Sequence, residues 1–285
     1  MLGAIIGDVV GSVYEFNNTK DYHFKLFTAE SDYTDDSILT LAVAQWAMND
    51  ASLSHSELER TFVEFASKDP NPKGGYGGGF STWLFSPSQL TSYHNGAQLS
   101  GRHPYNSWGN GSAMRVSAIG WLFDTLEKTE EAAALSASIT HNHPEGIKGA
   151  QAVASSIFLA RTGKTKLEIK RYIEERYGYQ LDVTWKYLNA TYSWDSSCQG
   201  TVPQALAVFL ESSDFEDSIR KAVSIGGDSD TLACITGAVA EAFYQDIPSE
   251  MVKPVLDLLP VRFLNLLEQF SHSAYKDCYD RYICV

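Results

Sequence analysis

Two short polar tetrads, Thr34-Asp35-Asp36-Ser37 and Asp228-Ser229-Asp230-Thr231, carry residue types that could hold a hard divalent cation. Each offers two carboxylates and a threonine hydroxyl within four residues, and Mg²⁺ takes oxygen ligands of this kind. Each tetrad also stands just before a stretch with helical periodicity. Acidic residues are expected there in any case, because they cap free N–H groups and suit the positive end of the helix dipole. Paired aspartates repel each other and exceed what one cap requires, so two such tetrads in one chain are better explained by a shared cation site.

Other segments carry weaker signals. Glu15 closes a small-residue stretch that begins Gly7-Asp8 and continues through Gly11-Ser12. Small residues there suit close helix packing, which would leave Glu15 a solvated end. The alternative reading is catalytic, since flanking Tyr14 and Phe16 would desolvate the carboxyl and raise its pKa. Ser107-Trp108-Gly109-Asn110-Gly111-Ser112 reads either as turn chemistry or as a glycine loop leading into a helix start that could face an anion. His141-Asn142-His143-Pro144 has no Cys partner and no HExxH pattern, so a hydrogen-bonding histidine is favoured over zinc. Arg102, His103 and Tyr105 suggest an exposed loop. Trp185, Tyr192 and Trp194 could stack on a base, although packing is the commoner use of such rings. GxSxG, GxxxxGK[ST] and GxGxxG are absent, which leaves serine-hydrolase, P-loop and dinucleotide readings without support.

The elements that must position these residues are helices. From Ser37, apolar Ile38, Leu39, Ala42, Val43, Trp46 and Ala47 recur at three- and four-residue spacings, the signature of a helix with one buried face. The same period predicts helices over 54–67, 112–126, 129–140, 145–161, 166–177, 202–210, 215–224 and 230–244, and two more after Pro248. Alternating runs such as 22–27 are short, so the chain reads as all-α. Loops over 69–80, 93–111, 141–145 and 192–200 are rich in Gly, Asn, His and aromatics. Long loops in a helical protein commonly carry function.

At 285 residues and 44% hydrophobic, with no low-complexity linker, one domain spanning 1–285 is expected. A net charge of −13 argues against sequence-independent nucleic-acid binding, which needs a basic face. No apolar stretch reaches the roughly 20 residues of a membrane span, and Asp8 interrupts the apolar start. Cys198, Cys234, Cys278 and Cys284 form no CxxC pair, consistent with reduced thiols and a cytoplasmic protein, and a monomer is expected.

Five segments, in order, resemble the ADP-ribosylglycohydrolase family: GAIIGDVVGSVYEF from Gly3, YTDDS from Tyr33, SWGNGSAMR from Ser107, THNHPEGIKGA from Thr140 and SIGGDSDTLACITGAVAEAF from Ser224. The resemblance implies a compact, single-domain orthogonal helical bundle with a two-Mg²⁺ centre, Mn²⁺ sometimes substituting, in a cleft for ADP-ribose. It implies Thr34, Asp35, Asp36, Asp228, Asp230 and Thr231 as metal ligands. Glu15 matches a mobile glutamate of the serine-specific members. Tyr76, Ser107, Trp108, Gly109, Asn110 and His141 match positions that bind substrate. Ser37 stands where Thr is usual, and Glu241 where a small residue is usual.

The implied reaction releases ADP-ribose from an acceptor on a protein or small conjugate. The metals would orient the ribose and lower the pKa of the attacking water, through an oxocarbenium-like transition state. Glu15 is the first candidate to move the proton; Asp35 or Asp36 is the second, since a carboxylate shared with metal is too acidic for a base. Arginine is the favoured acceptor, with serine and O-acetyl linkages open. The rival readings are a non-catalytic ADP-ribose binder, like the lens crystallins that resemble this family, and a binuclear diphosphatase.

Overall fold

A computed structural model of the protein describes residues 1–86, 91–94 and 97–274. Along the chain run helices α1 (Leu2–Gly11), α2 (Asp35–Asn49), α3 (His55–Lys68) and α4 (Gly78–Phe85), then hairpin strands β1 (Thr91–His94) and β2 (Ala97–Ser100). After them come α5 (Gly111–Met114), α6 (Ile119–Leu122), α7 (Leu126–Ser138), α8 (Pro144–Arg161), α9 (Lys166–Tyr177) and α10 (Trp185–Thr191). The chain continues through α11 (Cys198–Glu211), α12 (Phe215–Ser224), α13 (Ser229–Tyr244), α14 (Ser249–Leu258) and α15 (Val261–Ala274). The all-α expectation holds: the antiparallel pair β1–β2, with Thr91 opposite Ser100, is the one sheet among the described residues. Cys278 and Cys284 lie outside the described residues, while Cys198 and Cys234 are buried free thiols. Among the described residues, no helix is long and apolar enough to cross a membrane.

Helix α13 is the axis of the bundle, buried from Ser229 to Ala242 and packed by α1, α8, α11 and α12. Its contact with α1 is unusually close. A Cβ added at Gly3 would stand 2.5 Å from the Gly237 carbonyl oxygen, one at Gly7 2.0 Å from that of Ala233, and one at Gly11 2.4 Å from the Asp230 Cα. Glycine spaced every fourth residue therefore lets two backbones touch along one seam. The small residues read from sequence as packing residues do pack, and the seam carries Asp8 and the Glu15 turn to the start of α13. The buried Glu241 accepts from the Met1 ammonium and, at 2.8 Å, from the Gly3 amide, so it anchors the far end of the same seam.

Two expectations need correction. The helix predicted over 112–126 is broken into the single turns α5 and α6. The Met114 carbonyl accepts from Thr40 Oγ1 at 3.2 Å and from Cys234 Sγ at 3.5 Å, while Ile119, Gly120 and Trp121 bond three residues back rather than four. Apolar spacing alone does not register such tight turns. Helix α4 begins at Gly78, inside the loop predicted over 69–80, because buried Phe80, Trp83 and Leu84 pull the glycine run into a helical turn.

Candidate active site

The two tetrads, far apart in sequence, meet at one place. Thr34 is the N-cap of α2 and accepts from the Asp36 amide at 3.2 Å, as a capping residue should. Asp228 stands at the N-cap of α13, but its side chain makes no cap bond. It accepts instead from Asn110 Nδ2 at 2.7 Å, across the chain. Capping thus accounts for the first tetrad in part and fails for the second. Across the gap Thr231 Oγ1 lies 3.3 Å from Asp36 Oδ2, and Thr34 Oγ1 is equally 3.3 Å from it.

Carboxylate oxygens gather here in two trios, Asp8 with Asp36 and Asp230, and Glu15 with Asp228 and Asp230, each trio within 4.8 Å. Asp36, Asp228 and Asp230 are buried, and Asp35 is half-buried beside them. Burial first, and neighbouring carboxylates second, hold Asp35, Asp36 and Asp230 well above the usual carboxylate range. Glu15 is pushed up to about 7 by burial, with Asp228 and Asp8 adding to the effect. Asp36 Oδ1 is buried with no hydrogen-bond partner among the described residues. Clustered oxygen donors, mutual repulsion and an orphaned buried carboxylate oxygen together fit divalent cations.

Asp8 belongs to this site, and the sequence reading missed it. It accepts from the Thr34 amide at 3.0 Å, Thr34 Oγ1 at 2.7 Å, the Ser37 amide at 3.1 Å and the Ser37 hydroxyl. These bonds take up the hydroxyl protons, and since Thr34 Oγ1 already accepts from the Asp36 amide, one of its lone pairs is left. Burial raises Asp8 to about 6 even so. The available signal was a lone carboxylate in an otherwise apolar, small-residue helix.

Above the carboxylates opens a cavity of about 420 Å³. Its walls include Glu15, the glycine loop with Tyr76, the Ser107–Arg115 segment, His141 and Trp194. Gly74 is in the left-handed region (φ 75°), and a Cβ there would lie 2.8 Å from Glu15 Oε2, so only glycine admits the carboxyl at this place. Asn18 Nδ2 donates to the Glu15 carbonyl at 2.9 Å and to that of Gly227 at 2.9 Å, while its Oδ1 accepts from the Gly227 amide at 2.8 Å. The Glu15 turn is thereby tied to the loop that feeds α13. A second hollow of about 440 Å³ adjoins the first and is lined by Trp108, Ser107 and Asp195–Ser197.

The sequence profile of the ADP-ribosylglycohydrolase family matches residues 1–282. The chain belongs to the ADP-ribosylglycohydrolase family. It is 27% identical to human ADP-ribosylhydrolase ARH3 over 309 residues, covering 86% of this chain and 84% of that one. It is 24% identical to ADP-ribosylarginine hydrolase Tri1 of Pseudomonas putida, covering 90% of this chain and 72% of that one. A solved structure titled ADP-ribosylglycohydrolase-related protein complex superposes with a TM-score of 0.68 at 20% identity, covering 97% of each chain, which speaks for the fold. The protein is thus a glycosyl hydrolase of this family.

In this glycohydrolase the residues singled out from sequence fall into two groups, except Thr34, which lines neither hollow and is buried against Asp8 and Asp36. Glu15, Asp35, Asp36, Tyr76, Ser107, Gly109, Asn110, His141, Asp228, Asp230 and Thr231 line the main cavity. Trp108 lines the adjoining hollow, half exposed, with its ring 5.4 Å from that of His143. Asp35 joins neither carboxylate trio. Asn110 is more than a ligand-facing amide, since it also bonds Thr201 Oγ1 at 3.1 Å and so fixes Asp228. His143 accepts from the Glu145 amide at 3.1 Å and caps α8, which explains the second histidine without metal.

The expected exposed loop at Arg102 is corrected as well. Its guanidinium donates to the Trp83 and Leu84 carbonyls at 3.1 and 2.8 Å, satisfying the end of α4. Of the three aromatics proposed to stack, Trp185 bonds Ser224 Oγ through its Nε1 at 3.1 Å and packs on Tyr22, and Tyr192 donates to the Gly200 carbonyl at 3.0 Å. Trp194 alone reaches the cavity, stacked on Phe16 with ring centroids 5.8 Å apart.

Proposed function

We propose that the protein hydrolyses the glycosidic bond between ADP-ribose and an acceptor, arginine foremost, using two Mg²⁺ ions for which Mn²⁺ can substitute. Thr34, Asp35, Asp36, Asp228, Asp230 and Thr231 would hold the ions. The observation that carries this reading is two carboxylate trios at one cavity, one of them fully buried and the other including half-buried Glu15, in a chain of this family. When bound, the cations supply Lewis acidity and a grip on vicinal ribose hydroxyls.

The chain's own residues do the rest. Burial, with Asp228 and Asp8 second, raises the Glu15 carboxyl above the usual carboxylate range, which suits it to move a proton. In the hydrolysis the bond from the anomeric carbon to the acceptor breaks and water oxygen bonds to that carbon. One water proton passes to Glu15, and the departing acceptor nitrogen receives a proton in turn. Ser107, Gly109, Asn110, His141 and Tyr76 flank the ADP-ribose, and exposed Trp108 offers the adenine a stacking face.

The arginine preference rests on the rim. Phe16 and Trp194 are 74% and 47% exposed, stacked, and adjacent to a cluster of carboxylates. An aromatic face beside negative charge favours a guanidinium by cation–π attraction. The test is ADP-ribose release from arginine-, serine- and O-acetyl-linked conjugates, with and without Mg²⁺, resolved by mass. Cation-dependent release, fastest from arginine, is expected. Faster release from serine would overturn the acceptor, and AMP as product would overturn the bond.

A further inference from the structure

Arg115 is fully buried, and its role is absorbed neither by the carboxylate cluster nor by the glycine loop. Its guanidinium lies over the Phe62 ring at 4.8 Å and near the Phe80 ring at 5.8 Å, and Nη2 donates to the Ser136 carbonyl at 2.8 Å and to Thr140 Oγ1 at 2.9 Å. Thr140 Oγ1 in turn lies 2.7 Å from His141 Nδ1. A guanidinium carries donors only. Thr140 Oγ1 therefore accepts from Arg115, and its single proton has to go elsewhere. Among the described residues its other partner is His141 Nδ1, and Thr140 is fully buried, so any other arrangement strands a hydroxyl proton without an acceptor. Nδ1 then accepts, and in a neutral ring the hydrogen must sit on Nε2.

We infer that Arg115 and Thr140 are positioning residues that lock His141 in its Nε2–H tautomer, making it a fixed donor toward a phosphate or ribose oxygen in the cavity. The idea rests on the cavity being the ADP-ribose site. Geometry supports it at the other end of the ring. Nε2 has no protein partner among the described residues, and it lies 3.2 Å and 3.5 Å from where side chains at Gly111 and Gly109 would begin, so those glycines keep its face open. The ring itself is held, with Tyr105 tilted against it at 6.0 Å. Burial, with the Arg115 charge second, keeps the imidazole well below its usual pKa and therefore neutral. A neutral imidazole with a fixed hydrogen tells oxygen acceptors from donors, as a charged or freely tautomerising ring does not.

The tautomer is readable without any ligand, by long-range ¹H–¹⁵N correlation on protein labelled in its seven histidines, with the His141 signals assigned by their loss in His141→Asn. The wild type should show a protonated Nε2 and an unprotonated Nδ1. Thr140→Val should average the two nitrogens and weaken ADP-ribose binding by calorimetry roughly ten- to hundredfold, the worth of one hydrogen bond to a charged group. KM should rise while kcat is nearly unchanged, and Thr140→Ser should restore both spectrum and affinity. A wild-type ring protonated on Nδ1, or a Thr140→Val protein that keeps the Nε2–H spectrum, overturns the inference. Unchanged affinity once the tautomer is lost overturns the link to the ligand. Failure of the functional reading looks different: no conjugate releases ADP-ribose, and the spectrum is as expected.

Discussion

Two buried carboxylate sites in this molecule have been built in opposite ways. Glu130, on α7, accepts from the Tyr172 and Tyr177 hydroxyls at 2.6 Å each and from Arg176 Nη2 at 3.1 Å, with Ser155 Oγ at 3.5 Å. Burial pushes its pKa up, but these partners outweigh it, and the net shift is downward. At the α2 and α13 starts the aspartates are given one another, and they shift upward. A carboxylate that serves the fold is neutralised by the chain; those at the cavity are left for something the chain does not contain.

The largest expected effect tests that contrast directly. Asp228→Ala should reduce turnover by three orders of magnitude or more, on the order of what losing a metal ligand does, as measured by initial rates of ADP-ribose release. Full activity in that variant after chelation would break the comparison. Next, Glu15→Gln should lower kcat by about 10²–10⁴-fold, the usual share of general acid–base catalysis, and should remove the limb of the kcat–pH profile that Glu15 supplies.

A smaller effect, opposite in sign at the two sites, sharpens the comparison. Glu130→Gln should cost about 1–3 kcal/mol in urea unfolding, since it takes the charge from a satisfied network. Asp36→Asn should raise the Tm of chelated protein, because it removes a like charge and relieves an orphaned oxygen. Destabilisation by both would mean the aspartates are structural after all. The smallest effect is a slope. In chelated protein, burial raises Glu15 and Asp8 to about 7 and about 6, above the ordinary carboxylate range of about 4. The native state therefore holds protons that the unfolded chain has released, and stability falls as pH rises from about 4 to about 7. Saturating Mg²⁺ should flatten that slope, as thermal melts across the range would show.

Legibility in the sequence followed how local the determining physics is. The apolar period predicts helix α9 end to end, and its limits are local too, since Thr165 and Glu168 form a capping box and Gly178 closes it in the left-handed conformation. Helix α12 likewise matched its predicted bounds. The break between α5 and α6 was invisible, since it depends on Thr40 and Cys234 from other helices claiming the Met114 carbonyl. For the same reason Asp8 read as a mere interruption of an apolar helix. Its four donors come from Thr34 and Ser37, and the packing that brings them there has no signature in the local pattern.

The glycine seam between α1 and α13 also sets a timetable. Helix α1 is synthesised more than two hundred residues before α13, the surface shaped to receive its glycines. At roughly 5–20 residues per second, α1 waits on the order of ten to forty seconds for its partner. During that wait α2 can cover part of α1, but the bare backbone face along its glycines has no partner until α13 is made. The reactive centre, which needs both ends, is then among the last parts of the molecule to exist.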